Sequence, residues 1–170
     1  MFDTPIAPRL DSRKLCDAEQ LVQGFIEVAE LPGLLSYLQS EKGKVEVTLQ
    51  FQRDDHRRPT VTGTVEVKGV EIICQRCLQV AEQDLSSNLN VAVVLDESQA
   101  EKLPAELDAW IVEDGQLNLR ELLDQELILS LPIVPYHADC EVETQYGDAD
   151  GEQQEKENPF GVLAQLLQKD

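Results

Sequence analysis

The sequence predicts an α+β fold: an antiparallel β-sheet with a long hairpin in the first half, packed by one main helix and a short C-terminal helix. Three patterns support this prediction. Apolar and polar residues alternate between residues 44 and 73, apolar residues recur with helical spacing after Asn118, and a second helical pattern follows Asn158. With 170 residues, 42% of them hydrophobic, the chain can bury the core of one ordinary domain.

The N-terminal third predicts three short elements. Asp11 or Ser12 is a candidate N-cap for a first helix, because both side chains can accept a hydrogen bond from a free backbone N–H. Residues 21–28 alternate well enough for a short strand. Residues 31–38 predict one or two helical turns, in which Pro32 is tolerated because the first turn needs no N–H from it.

The clearest periodicity predicts the long antiparallel hairpin. Apolar residues occupy every second position from Val45 to Phe51, the pattern of a half-buried strand. A polar loop at residues 53–59 reverses the chain, and the strand pattern resumes from Val61 to Ile73. After a tight turn at residues 74–77, a further strand region extends to Leu95. Residues 110–112 are a candidate for one more short strand.

The main helix is predicted to begin at Asn118. Asn118 and Glu121 have the spacing of a capping box, and Pro132 ends the pattern. Acidic residues within it, such as Asp124 and Glu126, are expected on its solvated face. Five leucines form an apolar stripe: Leu119, Leu122, Leu123, Leu127 and Leu131.

We divide the chain into three parts. Residues 1–140 are predicted to form a single α+β domain, residues 141–157 an acidic flexible linker, and residues 158–170 a short amphipathic helix that begins with Asn158 and Pro159. This helix either docks back on the domain or binds a partner. Its apolar side consists of Phe160, Leu163 and Leu167.

The charge is strongly negative and unevenly spread. The net charge is −19; residues 1–95 contribute −4 and residues 96–157 contribute −15. Such a field repels phosphates, so broad RNA binding through the second half is disfavoured and a basic protein partner is favoured. Direct RNA contact elsewhere stays open. Acidity that serves only solubility is the alternative.

The sequence shows no membrane or export signal. The N-terminus lacks a basic start followed by an apolar core, and the longest apolar stretch, residues 127–134, is too short to span a bilayer. The four cysteines then indicate a reducing compartment. We therefore predict a cytoplasmic protein without a membrane partner.

Two residue pairs predict a structural zinc site. Cys74 and Cys77 lie two residues apart at a turn, and His137 and Cys140 repeat the same spacing. Together they would supply four ligands and join the hairpin to the end of the main helix. The alternative is that the thiols are ordinary and the pairs never meet. Cys16 is expected to be a lone thiol with no role.

The sequence offers little for catalysis. It contains no Gly-rich phosphate loop before a helix and no Gly-x-Ser-x-Gly motif, and His56 lies in a charged loop. We predict no enzymatic activity and no small-molecule substrate. The alternative is a thiol- or metal-dependent enzyme centred on Cys74 and Cys77, which would need a ligand position open to substrate.

Three segments carry a family resemblance. They are residues 74–78 (CQRCL), residues 124–137 (DQELILSLPIVPYH) closing at Cys140, and residues 158–163 (NPFGVL). In order and spacing they resemble the bacterial YceD family, the large ribosomal RNA subunit accumulation proteins, from about residue 10 to the C-terminus. Many relatives place cysteines at positions 137 and 140, which favours a four-ligand site.

The resemblance implies a role in the synthesis, processing or stability of large-subunit (23S) ribosomal RNA, with no catalytic residues to carry over. Combined with the acidity of the chain, it favours a non-catalytic accessory of ribosome biogenesis that contacts basic ribosomal or rRNA-processing proteins. A general acidic adaptor unrelated to ribosomes is the remaining alternative.

Overall fold

A mixed α+β fold, as predicted, is seen in a computed structural model that describes residues 2–112 and 115–141. The strands described are β1 (Arg9–Asp11), β2 (Leu21–Glu27), β3 (Lys44–Arg53), β4 (Pro59–Ile73), β5 (Val80–Val94), β6 (Asp108–Ile111) and β7 (Gln116–Asn118). The helices described are α1 (Ser12–Asp17), α2 (Pro32–Leu35), α3 (Glu97–Ala100) and α4 (Leu119–Leu129), with a 3₁₀ turn at Val28–Glu30.

The main sheet has the strand order β2-β3-β4-β5-β6, and β1 pairs separately with β7. Strands β2 to β5 pair antiparallel, so that Val47 lies opposite Val65 and Val65 opposite Ser87. Strand β6 instead runs parallel to β5, which the alternation pattern did not predict. Its direction follows from the connection: residues 95–107 carry α3 as a crossover, whereas a tight turn would have returned the chain antiparallel.

The long hairpin is formed by β3 and β4, with the predicted polar loop between them. The alternate residues from Val45 to Phe51 are fully buried, because one face of the sheet packs on the hydrophobic core. The loop itself is ordered by Asp54, whose carboxylate accepts hydrogen bonds from the backbone N–H groups of His56 and Arg58 and pairs with the Arg58 guanidinium at 2.6 Å. The charged loop is therefore a folded turn with internal partners.

The short N-terminal elements also match the prediction. Asp11 is the N-cap of α1 and accepts a hydrogen bond from the Lys14 N–H at 3.1 Å. The outer edge of β2 is covered by the preceding chain, because the Phe25 N–H donates to the Thr4 carbonyl at 3.0 Å. The approach is so close that a Cβ on Gly24 would lie 2.4 Å from that same carbonyl oxygen.

Helix α4 fills the core from the side opposite the sheet. Four of the five predicted leucines, from Leu119 to Leu127, are fully buried, and the helix ends at Leu129, before Pro132. The predicted capping box is wrong, because the Asn118 side chain caps no backbone N–H. Its amide instead donates to the Glu121 carboxylate at 3.2 Å. Since Asn118 also pairs in strand β7, the Leu119 N–H is satisfied by the Pro8 carbonyl at 2.9 Å instead.

Two acidic residues of α4 expected in solvent have structural partners. The Asp124 carboxylate accepts the N–H of Gly33 at 2.8 Å and the N–H of Leu34 at 2.6 Å, so it caps α2, which has no side-chain cap of its own. Gly33 leaves room for this contact, because a Cβ there would lie 2.6 Å from the carboxylate. Glu126 accepts a hydrogen bond from the Ser87 hydroxyl of β5 at 2.8 Å. These contacts fix the orientation of α4.

The predicted linker and C-terminal helix, residues 142–170, lie outside the described residues, so the division of the chain into three parts stays a prediction. No helix within the described ranges is long and apolar enough to cross a membrane.

We expect Asp124→Ala to lower the free energy of unfolding by about 1–3 kcal/mol, because two N–H groups of α2 lose a charged acceptor. Asp124→Asn should give a smaller loss, since its amide retains one acceptor oxygen. Urea unfolding followed by circular dichroism measures both. The exposed Gln125→Ala on the same helix is the control and should change stability little; an equal loss in that variant would contradict the capping role.

Candidate metal centre

The structure brings the two predicted residue pairs together. The ligand atoms of Cys74, Cys77, His137 and Cys140, here called the Cys3His cluster, all lie within 4.8 Å of one another. The first pair lies in the turn between β4 and β5, and the second lies in the chain that follows α4. Cys74 is fully buried and the other three residues are half-buried.

The turn that carries the first pair is closed by backbone hydrogen bonds. The Cys74 N–H donates to the Gln79 carbonyl at 2.9 Å, and the Leu78 N–H donates to the Cys74 carbonyl at 3.0 Å. Leu78 adopts a left-handed conformation with φ of 59°, which turns the chain into β5. The Arg76 N–H then points at the Cys74 sulfur at 3.4 Å.

The surroundings of the Cys74 sulfur favour the thiolate. Burial acts to raise the pKa of this thiol, but hydrogen bonds from the backbone N–H groups of Cys77, Arg76 and His137, and from the Cys140 side chain, lower the pKa to about 5. Cys74 and Cys140 bring their sulfur atoms to 3.6 Å. Because metals bind the thiolate and not the thiol, the turn prepares Cys74 as a ligand.

The two ring nitrogens of His137 have different partners: Nε2 contacts a backbone carbonyl, and Nδ1 faces the cluster. Nε2 lies 2.8 Å from the Val80 carbonyl, which can only accept, so Nε2 carries the proton. Nδ1 then faces the Cys77 sulfur at 3.3 Å. A hydrogen bond such as the one from Nε2 to the Val80 carbonyl orients an imidazole whose other nitrogen binds a metal. Hydrogen bonds to Cys140, Cys74 and the Val80 carbonyl raise the pKa of His137, so the sulfur atoms favour a positive charge at this place.

Three contacts outside the cluster hold the second pair against the turn. The Gln75 N–H donates to the Pro135 carbonyl at 2.8 Å. The Arg76 guanidinium donates to the His137 carbonyl at 2.5 Å and lies over the Tyr136 ring, 5.3 Å from its centroid. Sequence reasoning missed these supporting residues, although an arginine inside the Cys-x-x-Cys motif and an aromatic residue beside the histidine were visible signals.

The donor set fits a tetrahedral metal ion. Bonds of about 2.3 Å to sulfur and about 2.0 Å to nitrogen place neighbouring donors roughly 3.5–3.8 Å apart. The Cys74–Cys140 and Cys77–His137 distances of 3.6 and 3.3 Å are close to these values. Three thiolates and one imidazole are typical of structural zinc sites, and four protein ligands leave no position open to a substrate.

The remaining candidate residues lie elsewhere. Cys16 is buried, its thiol points at the Thr60 carbonyl at 3.6 Å, and burial raises the pKa of this thiol, as expected for an inert packing residue. His56 is exposed in the loop after β3. Three predicted partner-binding residues fall outside the described residues: Phe160, Leu163 and Leu167.

Comparisons with known proteins support one family. The family model described as Large ribosomal RNA subunit accumulation protein YceD matches residues 61–167, a region that contains the whole Cys3His cluster. A relative from Haemophilus influenzae, the large ribosomal RNA subunit accumulation protein YceD, is 33% identical over 152 residues, which cover 86% of this chain and 87% of the relative. No solved structure gives a significant match.

Proposed function

The chain belongs to the YceD family of large ribosomal RNA subunit accumulation proteins, and we propose that it supports the accumulation of large-subunit ribosomal RNA as a non-catalytic binding protein. The observation that carries this proposal is the 33% identity to the Haemophilus influenzae relative across most of both chains. The closed set of four ligands supports a structural rather than a catalytic role for the Cys3His cluster.

In this proposal the Cys3His cluster holds a structural zinc ion. Bound zinc would neutralise neighbouring thiolates and fix the chain after α4 to the turn between β4 and β5. The orientation of His137 and the lowered pKa of Cys74 support this assignment, because the Val80 carbonyl holds the ring with Nδ1 toward the sulfur atoms and Cys74 favours the thiolate that a metal requires. Zinc would thereby hold the two segments in one arrangement at the protein surface and would not act on a substrate.

The acidic second half is proposed to bind a basic ribosomal or rRNA-processing protein. Within the described residues, exposed carboxylates gather around α3 and β6. Strand β6 is one edge of the main sheet, and β2 is the opposite edge. Such a cluster attracts lysine and arginine side chains and repels RNA phosphates. These residues are Asp96, Glu97, Glu101, Glu106 and Asp108.

A thiol-dependent enzyme is the second candidate, favoured by the pKa of about 5 at Cys74. The geometry supports it less well. The Cys74 side chain is fully buried, and its sulfur already accepts hydrogen bonds from the turn, so a substrate could not reach it without rearrangement of the cluster. A structural ligand explains both the burial and the lowered pKa.

We expect the purified protein to retain about one zinc ion per chain, and His137→Ala to reduce retention after dialysis at least tenfold, because one of four ligands is lost. His56→Ala is the matched control, since His56 lies outside the cluster. His137→Cys should retain zinc, because it supplies a fourth thiolate. Elemental analysis measures the content; equal zinc in the two alanine variants would overturn the assignment.

Deletion of the gene should selectively lower the ratio of large- to small-subunit ribosomal RNA, measured on total RNA under fast and slow growth. Reintroduction of the wild-type gene should restore the ratio, and so should the His56→Ala variant. A ratio that does not change under either condition would remove the ribosomal role and leave a general acidic adaptor.

Binding to a purified basic protein of the large ribosomal subunit should weaken steeply as salt rises, because surface charges are screened beyond about 8 Å at physiological ionic strength. The double variant Glu97→Lys and Glu101→Lys, at the start of α3 and at its C-cap, should weaken binding at least fivefold at low salt. Asp3→Lys with Glu41→Lys changes the net charge equally, outside the acidic half, and should weaken it less. Equal affinities for the two double variants in anisotropy titrations would argue against α3 as the contact.

A further inference from the structure

An apolar groove lies beside the Cys3His cluster. One wall comes from Ile72 and Ile73 of β4 together with Tyr37, and the other from the end of α4 and the chain after it, including Ile133 and Val134. Its volume is about 550 Å³, within the range of protein binding sites. Ile133 is fully exposed, and Tyr37 and Val134 are each 55% exposed. An exposed apolar surface of this kind marks an interaction site.

The residues around the groove select an uncharged occupant. Among the residues that the structure describes, no acidic or basic side chain lines it, although the chain has a net charge of −19. Its polar lining consists of the amides of Gln39 and Gln75 and the Tyr37 hydroxyl. A basic partner attracted by the acidic surface would therefore gain no charge contact here. An apolar helix face with little charge fits better.

We infer that the groove binds residues 158–167 of the same chain. This segment has the sequence of a short amphipathic helix with Asn158 as its cap and Pro159 at its first position. The final thirteen residues are electrically neutral, so the acidic domain does not repel them. The apolar side that enters the groove consists of Phe160, Leu163 and Leu167.

The connection allows this docking. Glu141 lines a neighbouring depression, and Pro132, Val134 and Pro135 line both that depression and the groove, so the described chain ends beside its binding site. About 16 residues separate Glu141 from Asn158, and a chain of that length spans roughly 20–24 Å even with random-coil dimensions.

The tether also favours the segment over a separate partner. A connection of this length gives an effective concentration in the millimolar range. An intrinsic dissociation constant of about 0.1 mM, which is too weak for a separate protein at cellular concentrations, would then keep the segment docked about nine-tenths of the time. The short amphipathic segment thus completes its own domain.

The test uses ¹⁹F NMR on the full chain with 4-fluorophenylalanine placed at position 160 alone. The Phe160 signal should be broadened and displaced from that of a synthetic peptide of residues 156–170. Ile133→Ser should return most of the signal to the peptide position, because it removes a fully exposed apolar side chain from the groove wall. The docked fraction should fall at least fivefold.

Leu129→Ser is the matched control. Leu129 is 80% exposed at the C-terminal end of α4, four residues before Ile133, but it does not line the groove, so this variant should leave the Phe160 signal displaced. Unchanged fluorescence of Trp110 reports that both variants remain folded. A wild-type signal at the peptide position, or equal shifts in the two variants, would overturn the inference.

Two further outcomes would assign a different occupant and so overturn it as well. A displacement that fades on hundredfold dilution would mean docking on a second copy of the chain. A displacement that appears only after a basic ribosomal protein is added would mean that the segment binds a partner, as one of the two sequence-based alternatives had it.

Discussion

The contact between the β4–β5 turn and the chain after α4 is the constraint on which the candidate metal centre depends. Apolar burial cannot hold these segments together, because their large apolar side chains, such as Leu78, Ile133 and Tyr136, are exposed. Hydrogen bonds from Gln75 to Pro135 and from Arg76 to His137 hold them instead, together with the close contacts within the Cys3His cluster. The lowered pKa of Cys74 and the raised pKa of His137 both favour a positive charge beside the Cys74 sulfur.

Helix α4 transmits this constraint to the rest of the fold. Its leucines are buried against the sheet, while Asp124 caps α2 and Glu126 binds Ser87 of β5. The helix is thereby fixed in rotation and in position along its axis, because the buried leucines pack on the core while the two carboxylates bind two other elements, α2 and β5. The chain leaving α4 therefore reaches the turn with His137 and Cys140 in place. The position of the Cys3His cluster is therefore a consequence of core packing as much as of the contacts among its own four residues.

Two chemically different surfaces result. Carboxylates gather around α3 and β6, whereas the groove beside the cluster is apolar and uncharged. The acidic surface attracts a basic partner electrostatically, over a distance limited by salt screening. The groove binds only what touches it, and its apolar lining suits the apolar face of a helix. This separation allows the proposed family role in ribosomal RNA accumulation to rest on protein contacts without a conflict between charge and burial.

The sequence by itself determined the elements whose signal is local. Alternation from Val45 to Phe51 fixed a half-buried strand, the leucine stripe fixed α4, and the repeated spacing of two residue pairs identified the ligands of a possible metal site. Only the tertiary structure decided that the pairs meet, that β6 runs parallel to β5, and that Asp124 caps a distant helix. The physical reason is that periodicity records which face of an element is buried, whereas the distance between elements depends on how the whole core packs.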